Sequence, residues 1–259
     1  LHGRPRRAIR RGHVGVARFA MAARSYGQYC GVTTAVELVG ERWAMLIVRD
    51  LLVGPRRFTD LKLGLPRIPT NILTTRLREL QDGGVVRRVP LMNCGLVYEL
   101  TEYGRRLEPI VLALGRWGFT QMGEPGADDI VTADSLTIAL RSAFHADAAA
   151  AVPGGYELHV GDVVLRVQVG VGVAGGLAIA QLAPPAPPVG GRAPAGASEL
   201  VFAAGPGIRR LISGELTPSQ AIDQGVLTVV RGDAALLDRF VATFHIDEVP
   251  APSRVFATA

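Results

Sequence analysis

One stretch of this chain carries side chains suited to reading the edges of base pairs. From Asn71 to Asp82 the leucines Leu73, Leu77 and Leu80 recur at three- and four-residue spacing. At about 100° per residue they share one helical face and must pack inward. The opposite face holds Asn71, Thr75, Arg78 and Asp82, with Thr74 at its flank. In the major groove of double-stranded DNA an Asn can pair with adenine and an Arg with guanine, and the N-terminal end of such a helix enters first. Thr70 stands where it could cap the helix, and amides at that end could hold a phosphate. Arg56, Arg57 and Arg67 precede the helix, and Arg87 and Arg88 follow it. These are candidate phosphate contacts, which supply affinity and register rather than sequence choice. Any single residue here could equally be solvated surface, and it is the ordered pattern as a whole that points to DNA.

Other chemistries find less support. Gly170–Gly175 matches a dinucleotide fingerprint formally, but no helix pattern opens after it and no suitably spaced acid follows. Lys62 is the only lysine and has no Gly-rich neighbourhood, so there is no phosphate-binding P-loop. No nucleophile-elbow or zinc-protease motif occurs, and His145, His159 and His245 stand isolated. The reading is therefore of no enzyme, no catalytic residues, no metal and no cofactor. Two cysteines, Cys30 and Cys94, are too few for a disulfide framework and fit a reducing cytoplasm. The most apolar uncharged stretch, Val167–Ala183, alternates like a strand and falls short of a membrane-spanning helix.

The surrounding pattern supplies a scaffold for the polar helix. A helix from Thr33 ends at Gly40, and a second, carrying Trp43, Leu46, Ile47, Leu51 and Leu52, stops at Gly54-Pro55. After an extended Arg57-Phe58, Thr59 is expected to cap a short helix with Leu61 and Leu63. Pro66 and Pro69 bracket the connection to the polar helix, which Gly83-Gly84 terminates. Val85–Val89 and Leu96–Leu100 read as two strands joined through Asn93, Cys94 and Gly95, and Thr101 caps a last helix bent at Pro109. Helix, helix, short strand, helix, helix, strand, turn, strand, helix is the winged helix arrangement.

Residues 30–118 resemble the HxlR family of winged helix-turn-helix transcriptional regulators. The resemblance is carried by Gly40-Glu41-Arg42-Trp43, Arg57-Phe58-Thr59-Asp60-Leu61, Ile68 to Leu73, Arg76-Leu77-Arg78-Glu79-Leu80, Gly84-Val85-Val86 and Tyr98-Glu99-Leu100-Thr101-Glu102-Tyr103-Gly104. Gly31 replaces the family's usual Pro after the cysteine, and Leu91–Gly95 lacks the usual basic wing tip. The resemblance implies a homodimer. Its interface would be formed by the first helix and by the last, with Leu107, Ile110, Leu114 and Trp117. The resemblance also makes Cys30 a candidate redox or electrophile sensor, against the plainer reading of a small packing residue.

The rest of the chain reads differently. Residues 1–20 carry +6, residues 21–123 carry +5 and residues 124–259 carry −6. A polyanion therefore suits the front half and not the back. The expected layout is a basic arm at 1–24 (with Met21 a plausible start), a DNA-binding domain at 25–123, a linker at 124–134, a second domain at 135–246 and a tail at 247–259. Strands are expected at Tyr156–Val160 and Val163–Val169 around a Gly161-Asp162 turn, then at Leu177–Leu182, Leu200–Ala203 and Val226–Val230. A Pro/Gly/Ala-rich insert occupies Ala183–Ser198. The overall class is α+β. Residues 135–246 resemble sterol-carrier-protein-like domains through Leu211–Pro218, Ala221, and Gly225–Asp233. That resemblance implies an apolar tunnel, for which Leu136, Leu140, Phe144, Leu165, Val167, Leu177, Ile179, Leu211, Phe240 and Phe244 are the candidate ligand contacts. A filled core is the competing reading.

The leading expectation is a cytoplasmic, homodimeric, sequence-specific DNA-binding regulator, modulated by a small apolar ligand or by thiol chemistry and without a membrane partner. The alternative is a lipid or small-ligand carrier that uses its winged helix for dimerisation.

Overall fold

The computed structural model describes residues 25–92, 95–126, 128–151, 153–171, 176–182 and 199–247. The basic arm, Asn93 and Cys94 in the wing turn, Gly172–Gly175 of the glycine run, the Ala183–Ser198 insert and the tail beyond Asp247 lie outside the described residues.

The first unit runs α1 (Gly31–Val39), α2 (Ala44–Val53), α3 (Phe58–Gly64), α4 (Thr70–Asp82), β1 (Val86–Leu91), β2 (Gly95–Leu100), α5 (Glu102–Arg105) and α6 (Glu108–Phe119). β1 and β2 pair antiparallel from Val86↔Leu100 to Leu91↔Gly95. Arg56 adds a backbone bridge to Tyr98, the third short strand of the wing. The core follows the spacing of the apolar residues: Ile47, Leu61, Leu73, Leu77, Leu80 and Leu100 are all fully buried. Thr101 caps α5 by accepting from the Gly104 N–H at 3.0 Å, while its hydroxyl donates to the Gly84 carbonyl at 2.6 Å. A Cβ at Gly104 would lie 2.1 Å from the Val85 carbonyl oxygen, so only glycine lets this helix sit on the first wing strand.

Three local expectations are corrected. Thr59 does not cap α3. Arg57 is the extended residue before it, and its N–H donates to the Asp60 carboxylate at 2.9 Å. Thr70 does not cap α4, because Pro69 holds the cap position and Thr70 is the first helical residue. Pro109 does not bend one long helix. The chain breaks at Arg106-Leu107, and Pro109 sits in the first turn of a separate α6, where its missing N–H costs nothing.

The second unit runs α7 (Ala133–Ala143), α8 (Ala146–Ala151), β3 (Gly154–Val160), β4 (Val163–Val171), β5 (Gly176–Leu182), β6 (Leu200–Ala204), α9 (Arg209–Ile212), α10 (Pro218–Asp223), β7 (Leu227–Arg231) and α11 (Leu236–Thr243). Its strands form one sheet in the order β5-β4-β3-β6-β7, with β3 and β6 parallel and the other neighbours antiparallel. Helices cover a core centred on Tyr156, Phe202, Phe240 and Phe244. Phe240 meets the other three rings at centroid distances of 4.9–5.3 Å. Among the described residues no helix is long and apolar enough to cross a membrane.

The two units share α7, which begins at Ala133, inside the stretch expected as linker. Thr132 and Ser135 form a reciprocal capping box there. Ile138 packs into the first core, while Leu136, Leu140 and Ala143 pack into the second. Polar bonds secure the junction. Asp134 accepts from Arg56 Nε at 3.0 Å and, on its other oxygen, from Arg56 Nη2 and from Gln181 Nε2 at 2.6 Å. Arg141 donates to the Leu52 carbonyl at 3.1 Å. Removing one partner of a buried ion pair strands the other charge. Asp134→Ala should therefore lower stability by about 2–4 kcal/mol, since this pair is not wholly dry. The urea midpoint of the full chain checks this.

Candidate nucleic-acid interface

The helix-turn-helix is α3, the turn Leu65–Pro69 and α4. Leu65 and Ile68 are buried under the turn, and Lys62 Nζ donates to the Pro66 carbonyl at 3.0 Å, tying α3 to it. These contacts aim the N-terminal end of α4 outward.

All the expected base-edge residues lie on the exposed side of α4: Thr70, Asn71, Thr74, Thr75 and Arg78. The Thr74 hydroxyl donates to the Thr70 carbonyl and the Thr75 hydroxyl to the Asn71 carbonyl, both at 2.9 Å. Their protons are thus spent on the helix, which leaves each hydroxyl oxygen as an acceptor. The two arginines of the helix divide their roles. Arg76 is buried and pairs with Glu79 and with Glu41, whereas Arg78 is exposed.

The expected phosphate contacts divide too. Arg57 is exposed at the start of α3. Arg87 and Arg88 are exposed on β1, Arg87 bonded to Glu99 at 2.7 Å and Arg88 over the Tyr98 ring at 5.7 Å. Arg67 is exposed, yet its Nη2 donates to the Asp128 carbonyl of the interdomain linker at 2.9 Å. Arg56 departs from the expectation, because the Asp134 carboxylate draws its guanidinium into the domain junction. Nothing local in the sequence separates Arg56 from Arg57, and the partner comes from 78 residues away.

Cys30 is exposed in the extended residue preceding α1. The backbone amides of Thr33 and Val32 hold its thiol below the ordinary range. His145 and His245, isolated in sequence, stack with ring centroids 3.7 Å apart. Among the described residues no group of three His, Cys, Asp or Glu side chains could hold a metal ion.

The ten expected ligand contacts all belong to the second core or pack against it. Leu140, Leu165, Val167, Leu211, Phe240 and Phe244 are completely buried among neighbours. Leu136 alone of the ten also borders a cavity of about 570 Å³, which lies between the two units rather than inside the second. No local pattern in the sequence marks that cavity: α7 lines it with Ser135, Leu136, Ile138, Ala139 and Ser142, and of the helix's eleven residues only Ala139 is exposed.

A buried carboxylate stands behind the helix-turn-helix. Asp50 of α2 is wholly buried against Gly64, at the end of α3. Its Oδ1 accepts from Arg49 Nε at 2.8 Å, and its Oδ2 has no hydrogen-bond partner. Burial pushes its pKa up to about 6, against the pull of Arg49. A carboxyl whose folded pKa is raised binds its proton more tightly in the folded state. Its stabilising contribution is full below about pH 4 and is lost as pH rises through about 6. Relative to the parent chain, Asp50→Asn should therefore gain about 1–3 kcal/mol between about pH 4 and pH 7, because each tenfold difference in proton affinity is worth about 1.4 kcal/mol. Paired urea melts across that range check the sign.

Known proteins resemble the first unit. The family model described as HxlR-like helix-turn-helix matches residues 38–125. The HTH-type transcriptional regulator YdeP of Bacillus subtilis is 35% identical over 91 residues, covering 34% of this chain and 71% of that protein. The HTH-type transcriptional regulator Rv3095 of Mycobacterium tuberculosis is 44% identical over 98 residues, or 36% of this chain and 60% of that protein. Among solved structures, the redox regulator HypR in its oxidized form shares 33% identity over 37% of this chain and 100% of its own, with a TM-score of 0.35. These relatives are transcriptional regulators, not enzymes.

Proposed function

The chain belongs to the HxlR-like helix-turn-helix family of transcriptional regulators, and on that premise we propose that it binds a specific double-stranded DNA operator as a homodimer, with α4 in the major groove. The observation that carries this reading is the division of α4 into a fully buried leucine face and an exposed face of Asn71, Thr74, Thr75 and Arg78. Asn71 and Arg78 read bases. Arg57, Arg67, Arg87 and Arg88 meet phosphates, and Thr70 contributes at the first turn. Arg56 is left out of this face. The dimer pairs α1 and α6. Supporting it, Val32, Ile110, Leu114 and Trp117 are exposed, Trp117 at 72%, and a ring so exposed finds cover in a two-fold partner.

In this proposal residues 25–123 read DNA, and residues 135–246 form a sterol-carrier-like domain that adjusts the reading in response to an apolar effector. Supporting the division are two separate hydrophobic cores and the acidic balance of the second half, which makes it a poor DNA surface. The densely filled second core gives no support to the carrier alternative. Cys30 serves as a thiol sensor, a role supported by its exposure and by the lowered pKa of its thiol.

Selection of bound duplexes from a random pool, followed by anisotropy titrations, tests the DNA reading. Arg78→Ala or Asn71→Ala should each cost about 1–3 kcal/mol on the selected site and relax its sequence. Arg57→Ala should weaken selected and random duplexes alike and reduce the salt slope by about 1. No preference for any duplex over random DNA at moderate salt would sink the proposal. For Cys30, diamide should release DNA from the parent chain and not from Cys30→Ser. Equal release from both would rule out the sensor.

A further inference from the structure

The two units pack closely in one place and stand apart in another. Where α6 crosses α7, a Cβ on Gly115 would come within 2.6 Å of Ser142 Oγ, so the helices touch. Beside that crossing lies the cavity of about 570 Å³, lined on its far side by Ile208 and Ile212 around α9 and flanked at its open mouth by the exposed linker residues Met122 and Ile130. Its size falls within the range of small-molecule sites, roughly 300–1,000 Å³. Its walls are mainly apolar and come from both units.

The charged groups at the rim already have partners, the Asp129 carboxylate accepting from the Gly126 N–H at 2.8 Å. Arg49 is bonded to Asp50, and Arg209 pairs with Glu215 and, at 3.7 Å, with Glu124. An anion would have to break one of these pairs and meet the Asp129 carboxylate, and a cation would meet Arg49 and Arg209, whereas a neutral ligand would do neither. The cavity also reaches the DNA-reading end of the molecule. A smaller hollow of about 190 Å³ shares Arg49, Asp129, Ile130 and Ser135 with it and extends to Gly64–Arg67, the turn before α4. There the linker carbonyl of Asp128 takes a hydrogen bond from Arg67.

We propose that this interdomain cavity, and not the core of the second domain, binds a neutral and mainly apolar small molecule, and that its occupant alters DNA affinity by moving the linker that holds Arg67. The proposal rests on the DNA-binding reading above and gives its effector a site. An Arg67 guanidinium bonded to Asp128 is turned toward the linker, and one released from it is available to a phosphate. A ligand that fits one linker position better than the other must shift DNA affinity by that difference.

The test uses the full chain, the neutral fluorescent probe N-phenyl-1-naphthylamine and the selected duplex. The probe should bind saturably, one per chain, and its saturation should change the DNA Kd by about fivefold or more. Ala139→Trp fills the cavity from the exposed position of α7, and Ile130→Asp sets a charge at its mouth. Each should weaken the probe by about tenfold or more and abolish its effect on DNA. Ile130 is 60% exposed, so its variant folds even if the tryptophan is not accommodated. Absence of probe binding, equal binding to the parent and both variants, or a DNA Kd unmoved at saturation would overturn the site. A chain that binds no duplex even without probe would instead defeat the DNA-binding reading, leaving the probe titration to judge the cavity alone.

Discussion

The carboxylate of Asp134 joins the two halves of this molecule. It stands in the first turn of α7, receives the Arg56 guanidinium from the winged helix and takes the Gln181 amide from the edge strand β5. Holding these groups together out of water is worthwhile only because each satisfies the others. The position of Arg56 also matters to the wing, since its backbone exchanges two hydrogen bonds with Tyr98 on β2. The same residue therefore fixes the third wing strand through its main chain and the domain junction through its side chain.

α7 extends that coupling from a single ion pair to a packed surface. An amphipathic helix buries one stripe and exposes the rest, but α7 gives Ile138 to one core and Leu136, Leu140 and Ala143 to the other. Two cores that share a helix cannot rotate freely about a linker. Relative motion has to be accommodated where packing is incomplete, and that place is the cavity beside α6 and α7. Close packing elsewhere makes such a gap the soft part of the structure.

The exposed polar face of α4 was legible in the sequence because its cause is local. A leucine at every third or fourth position must be buried, so the intervening Asn71, Thr74, Thr75 and Arg78 have to face out. The wing hairpin and the cap at Thr101 follow from similarly local signals, whereas the need for glycine at 104 arises from the Val85 carbonyl 19 residues away. Most strands of the second unit were legible too, since period-two alternation and the Gly161-Asp162 turn constrain them. Cap positions were less so. Thr59 and Thr70 are both good capping residues, but an Asp60 carboxylate in one case and Pro69 in the other moved each helix start to an earlier residue.

What only the tertiary structure decided depends on partners distant in the chain. Sequence alone treats Arg56 and Arg57 as neighbours of one kind, and folding sends the first to Asp134 while leaving the second on the surface. It ranks Phe240 and Phe244 as ligand contacts because they are large and apolar, and folding packs them edge-on and tilted against Tyr156 and Phe202 in a buried core. The cavity falls instead beside the α6–α7 crossing, between the two units, lined by residues whose types announce nothing. The reason is physical. Burial of a face is dictated by the periodicity of the chain that carries it, whereas a void or an ion pair is set by how closely two such faces meet, and no single segment encodes that distance.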